Sequence, residues 1–234
     1  THPVSQERIA NMQQVIRSLG TLAENIEEPD PLKKIQIILR MERRDEAVLD
    51  EYERLAVQNP KDAEIFYLLG FAKQLNGKLN QATQSFERAR KLSPNDPALL
   101  RDMGRLYTQL GNTDEGEKLL RRSLELQPKE PLTYLYLGEL YDKRNDFRSA
   151  VGAYLNAQNL SPLWDKPAYH LGVAYGKLDR LGDAYYYLGR SFLLQDEDEK
   201  AFAAFEKAAK IIGPGSPRGE MIKEELKSLK ARRK

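Results

Sequence analysis

The chain contains no cysteine, only two histidines, one tryptophan, and no apolar run approaching the length of a membrane span. Without cysteine there is neither a disulfide nor a thiolate, which leaves oxidising and reducing compartments equally open. A spanning helix needs about 20 consecutive apolar residues. Charged residues at 31% and hydrophobic ones at 41% instead suit a helical chain that faces water. Net charge is +2, from 37 Lys plus Arg against 35 Asp plus Glu. Nucleic-acid surfaces ordinarily need a clear basic excess, so no nucleic acid is expected as a partner. The basic cluster Lys230-Ala231-Arg232-Arg233-Lys234 reads as a solvated helix end. Thr1 follows neither an initiator Met nor a basic-then-apolar leader, which reads as a mature product or an excised piece of something longer.

What the chain does contain is a period of 34 residues. Gly70, Gly104, Gly138 and Gly172 are separated by that step, and so are Pro60, Pro94, Pro128 and Pro162. Ala82, Gly116, Ala150 and Ala184 keep it, as do Phe86, Leu120, Tyr154 and Leu188. A repeat of this length holds two helices and two short turns. The glycine of the first helix and the small residue of the second belong where the two backbones cross. A larger side chain there would overpack the crossing, at about 1–3 kcal/mol. The proline ends the second helix, and the large apolar columns fill the space between neighbours.

These columns closely resemble the tetratricopeptide repeat. Residues 131–164 match nearly throughout, at Tyr134, Leu137, Gly138, Tyr141, Ala150, Tyr154, Ala157 and Pro162. Residues 63–96 match at Phe66, Leu69, Gly70, Ala82, Phe86, Ala89 and Pro94, with Lys73 in place of the usual Tyr. Residues 97–130 keep Met103, Gly104, Tyr107 and Pro128 but place Gly116 and Ser123 where alanines are usual. The resemblance implies an all-α fold, a right-handed α-α superhelix of stacked hairpins.

The ends of the array depart from the pattern. Residues 29–62 form a degenerate unit, with Gln36 and Val48 in the glycine and alanine columns and helices expected over Pro31–Arg43 and Asp45–Gln58. Residues 165–214 hold a unit with a half-repeat, because Gly172 and Gly189 are only 17 residues apart. One helix, Gly182–Gln195, is therefore expected to serve both neighbours. Gly213-Pro214-Gly215 breaks the chain, and Ser216 with Pro217 is expected to start a polar capping helix within residues 215–234. Residues 1–28 lie outside the repeats and suit an extension helix with an Ile9, Met12, Ile16, Leu19 stripe. Its cover could be the first repeat, a partner, or a preceding domain of which it is the tail.

Thr1-His2-Pro3 with Glu7-Arg8-Ile9 is similar to the segment closing the catalytic domain of prenyl-endopeptidase-like zinc metalloproteases. Some bacterial members, of the beta-barrel assembly-enhancing type, continue into a tetratricopeptide array. Tyr187-Leu188-Gly189-Arg190 through Gly215-Ser216-Pro217-Arg218 also resembles the end of such arrays. The resemblance implies a protein attached to a zinc-protease domain in the bacterial periplasm or envelope. The family's His-Glu-x-x-His helix is absent, and His2 and His170 are far apart, so no zinc ligand or general base carries over. No catalytic residue, metal or cofactor is expected in this chain.

In the repeat family, first helices line the concave face. The matching positions are Tyr67 and Phe71, then Arg101, Asp102 and Arg105, then Tyr136, Glu139 and Lys143, and finally Tyr169, His170 and Lys177. Tyrosine supplies contact area at low entropy cost and arginine pairs bidentately with carboxylates. Such a groove suits a peptide or protein client. Exposed Tyr and Arg are also ordinary helix-surface residues, and both readings stay open at Arg101 and Arg105. Tyr185-Tyr186-Tyr187 is expected to pack around the shared helix, and Trp164 to plug a turn between units. Asp196-Glu197-Asp198-Glu199 lacks the glycine and spaced oxygens of a calcium loop and reads as a solvated turn. Two functions follow: a client-handling region of an envelope metalloprotease, or a free-standing scaffold for pilus, outer-membrane or secretion assembly.

Overall fold

The computed structural model describes residues 31–42, 45 and 47–232. The expected extension helix over residues 1–28 lies outside them, as do His2, Arg233 and Lys234. The described residues form twelve α-helices and no strand. They are α1 (Pro31–Glu42), α2 (Ala47–Gln58), α3 (Ala63–Leu75), α4 (Leu79–Leu92), α5 (Pro97–Gln109) and α6 (Thr113–Leu126). The rest are α7 (Pro131–Lys143), α8 (Phe147–Leu160), α9 (Asp165–Lys177), α10 (Leu181–Leu194), α11 (Asp198–Ile212) and α12 (Pro217–Arg232). The described residues divide into two compact units, those up to Leu99 and those from Leu100 onward.

In the first unit α3 and α4 form the best-matched hairpin. A Cβ at Gly70 would meet the Phe86 ring at 2.5 Å, so the glycine is what allows the two helices to cross this closely. Phe86, Ala82, Ala89 and Ala72 are fully buried around the crossing. Lys73, in the column where tyrosine is usual, reaches back to Glu53 of α2 at 3.1 Å. Lys34 of α1 stands 4.5 Å over the Tyr67 ring and 4.7 Å over Phe71.

The second unit repeats the same crossing four times. A Cβ at Gly104, Gly138, Gly172 or Gly189 would strike Leu120, Tyr154, Leu188 or Phe205, each sixteen residues further on. The last two pairs overlap: α10 packs on α9 and also on α11. It is the second helix of one hairpin and the first of the next. Two buried clusters result, one around Tyr154 and Leu140, the other around Tyr186, Phe205, Ile222 and Leu229. Burying each such large apolar side chain contributes about 1.5–3 kcal/mol. At the α6–α7 junction Glu117 accepts from Tyr141 at 2.8 Å and pairs with Arg121 and Arg144.

Two further columns share the period. Gly77, Gly111, Asn145 and Asp179 stand 34 residues apart, Asp196 a half-step of 17 beyond, and all have φ between 58° and 88°. The turn between paired helices needs one left-handed residue, and Gly, Asn and Asp tolerate it best. Asp62, Asp96 and Glu130 form the other column, each accepting a hydrogen bond from the first turn of the helix that follows. Trp164 takes the next place in that column without a capping bond and packs against the core instead. Ser216 Oγ accepts from Gly219 N at 3.0 Å and so caps α12.

Candidate functional site

Within residues 100–234, three first helices and one helix end frame a concavity of about 350 Å³. Arg105 enters from α5, Leu132, Leu135, Tyr136 and Glu139 from α7, and Asp165, Lys166, Tyr169 and His170 from α9. Gln195, the residue capping α10, closes the far side. The helical spacing explains the convergence: positions three or four apart share a face, and each first helix turns that face the same way.

Arg105 is the cationic wall. Its guanidinium lies 4.6 Å over the Tyr136 ring, donates from Nη1 to Tyr136 Oη at 3.2 Å, and has Glu139 4.0 Å from Nε. That Nε makes no hydrogen bond. Burial and the nearby Asp102 carboxylate push the Tyr136 hydroxyl up to about 12, so it stays protonated and able to donate. Tyr169 is 48% exposed and presents an aromatic face to whatever enters.

His170 forms the floor of this aromatic group. Its ring stacks on Tyr154 with centroids 5.0 Å apart and meets the edge of Tyr169 at 5.6 Å. Burial pulls its pKa below the usual histidine value, against the Glu139 and Asp142 carboxylates that would raise it. The neutral imidazole is thus favoured. Below it Tyr154 Oη donates to Asp142 Oδ2 at 2.5 Å, while Asp142 Oδ1 is buried without a partner. Burial raises the Asp142 pKa although the tyrosine bond opposes it. Gln195 Nε2 donates to Asp165 Oδ2 at 2.8 Å and fixes the opposite rim.

The other candidate residues sit elsewhere. Arg101 and Asp102 are buried and pair with each other at 3.0 Å. Lys143 donates to the Thr108 and Gln109 carbonyls at 2.7 and 2.9 Å, where it neutralises the C-terminal end of α5. Lys177 is exposed at the end of α9. Tyr67 is buried and Phe71 half-buried within the first unit, under Lys34. Sequence reasoning missed Leu132, Leu135, Asp165, Lys166 and Gln195. Leu132, Leu135 and Lys166 each stand four residues before a candidate already named, Tyr136, Glu139 and His170, so helical spacing could have found them. Asp165 and Gln195 follow only from the three-dimensional closure. No group of three or more His, Asp or Glu residues is placed to hold a metal among the described residues. No helix among them is long and apolar enough to cross a membrane.

A family model of the tetratricopeptide repeat matches residues 73–133, and a second matches residues 183–211. The chain carries tetratricopeptide repeats. The second match covers α10 and α11, taking α10 as the opening helix of a tetratricopeptide hairpin although it also closes the hairpin begun by α9. Similar solved structures include MamA from Desulfovibrio magneticus RS-1, at 21% identity and TM-score 0.59 over 74% of this chain and 98% of that one. PilW, described as a widely conserved type IV pilus biogenesis factor, gives 16% identity and TM-score 0.64 over 86% and 90%. A chain of the Cut9–Hcn1 complex gives 19% and 0.62 over 94% and 46%. These likenesses are of fold, and they place the chain in the all-α class of tetratricopeptide superhelices. No curated protein matches it.

Proposed function

We propose that this chain is a protein-interaction scaffold that holds a peptide segment of a client in the concavity framed by α5, α7 and α9. The observation that carries the reading is the convergence of the Arg105–Tyr136 pair, the exposed Tyr169 ring and His170 on one open site. Tyrosine and arginine are the side chains whose truncation most often weakens a protein interface. The Arg105 side chain is 38% exposed, so the open edge of its guanidinium offers a client carbonyl or carboxylate a charged donor, while Nε itself is buried. Glu139 and Asp165 offer acceptors on either side.

The finer reading is that this scaffold handles clients for an attached zinc metalloprotease of the bacterial envelope. It rests on the resemblance of Thr1-His2-Pro3 through Ile9, and of the stretch ending at Arg218, to that family. The second reading is a free-standing assembly scaffold, favoured by the likeness to PilW over 86% of the chain. Sequencing the reading frame on the N-terminal side of Thr1 separates the two. A His-Glu-x-x-His helix there supports the protease arm. A lipidation or signal leader directly before Thr1 overturns that arm and supports the scaffold.

A further inference from the structure

We propose that the groove between α11 and α12 docks an acidic amphipathic helix of a partner protein, at a surface separate from the concave client site. The groove has a volume of about 780 Å³ and an apolar floor of Ala209, Pro214, Leu226 and Ala231. Lys223, Lys227 and Lys230 line it at i, i+4 and i+7, so one face of α12 carries a row of ammonium groups beside that floor. The opposite face of α12 is already used: Ile222 and Leu229 are fully buried against the Phe205 cluster.

Charge sets the partner's chemistry. The single acidic residue lining the groove is Glu220. Its pairing with Lys223 at 3.3 Å is exposed on both sides, and so is that of Lys227 with Glu224 at 3.9 Å. Exposed pairs of this kind contribute little, so a partner's carboxylates can replace them. A second copy of this chain would bring its own lysine row against the first, which like-charge repulsion disfavours.

The repeat register says why the occupant is a helix. Counting 34 residues on from Gly189, the crossing glycine of the α10–α11 hairpin, gives Lys223. α12 therefore stands in the place of a first helix, and position 223 faces the side on which a second helix packs. With glycine in that column the neighbour's backbone approaches closely. With lysine the neighbour stands off by the length of the side chain and meets an ammonium. A helix with a leucine stripe flanked by glutamates satisfies both the floor and the lysine row, whereas a flat lipid surface does not reach the floor.

The test uses the full chain and a fluorescein-labelled designed helix of about 20 residues, with leucines at i, i+4 and i+7 flanked by glutamates. Anisotropy should report binding that weakens as salt rises from about 0.05 to 0.5 M, and the same peptide with lysines for glutamates should not bind. Lys223→Glu with Lys227→Glu and Lys230→Glu should lower affinity at least tenfold with an unchanged helical melt. The corresponding triple Lys→Gln variant should also lose affinity, should the charge reversal disturb α12. Tyr169→Ala should leave this binding intact, which separates it from the client site. The proposal is overturned by undiminished affinity in both triple variants, or by equal loss in Tyr169→Ala. It is likewise overturned if the chain binds anionic phosphatidylserine vesicles but not the peptide, or if sedimentation shows a dimer that the lysine substitutions abolish.

Discussion

Substituting Gly138 by alanine tests whether the repeat period reflects backbone crossing. The added Cβ would lie 2.5 Å from Cδ1 and 2.7 Å from Cζ of Tyr154, well inside van der Waals contact. Tyr154 has no room to yield: it is fully buried, its hydroxyl is bonded to Asp142, and its ring stacks on His170. Alanine gains up to about 1 kcal/mol over glycine in a helix interior. Overpacking opposes this with about 1–3 kcal/mol. Shifting Tyr154 away from Asp142 strands a buried polar group for about 1–3 kcal/mol more. The net expectation for Gly138→Ala is a loss of about 2 kcal/mol. Gly152, on α8 of the same hairpin, has nothing within 4 Å of its would-be Cβ. Gly152→Ala should therefore gain about 0.5–1 kcal/mol. Urea titrations followed by helical circular dichroism give both values. A Gly138→Ala chain as stable as the parent, or both substitutions moving the midpoint the same way, would refute the crossing argument.

Asp142 supplies a pH test. Its folded pKa is raised above the ordinary 3.8, so the folded protein holds this proton more tightly than the unfolded chain. The stability it contributes is thus complete below 3.8 and is lost as pH rises through the raised value. Asp142→Asn keeps an acceptor for Tyr154 and removes the charge, so its urea midpoint should exceed the parent's at neutral pH and converge with it in acid. A pH-independent difference contradicts this account. At the turn before α10, Asp179 has φ 58°, and Asp179→Gly should raise stability by about 0.5–1 kcal/mol through relief of the left-handed backbone. A lowered thermal midpoint would show that the Asp179 side chain matters more than its φ.

The glycine, small-residue and large apolar columns were legible because each demands one size of side chain at one place. The left-handed column was equally periodic but passed unnoticed. It asks for a backbone angle, and Gly77, Asn145 and Asp196 answer with different letters. The capping column Asp62, Asp96 and Glu130 was hidden in the same way, by chemistry that two acids share. The candidate site was legible where a first-helix position projects straight into the concavity, as at Arg105, Tyr136, Glu139, Tyr169 and His170. Arg101 and Asp102 lie on the edge of that face, where a mutual ion pair lets both be buried. Charge reversal at Arg101 would set two carboxylates together inside the protein, so it disturbs folding before it reports on binding. Lys143 points from the end of α7 to the carbonyls ending α5, a partner that helical spacing alone does not reveal.

The central claim is that the concavity under α5, α7 and α9 receives a client. The most direct measurement titrates a peptide selected from a displayed library on the parent chain against Tyr169→Ala and Arg105→Ala variants. Tyr169 is 48% exposed, so its truncation should change stability by no more than about 0.5 kcal/mol. The account predicts at least tenfold weaker binding for each variant, about 1.4 kcal/mol, with the helical melt of Tyr169→Ala preserved. Affinity unchanged in both variants would place the client elsewhere on the repeats and contradict the account.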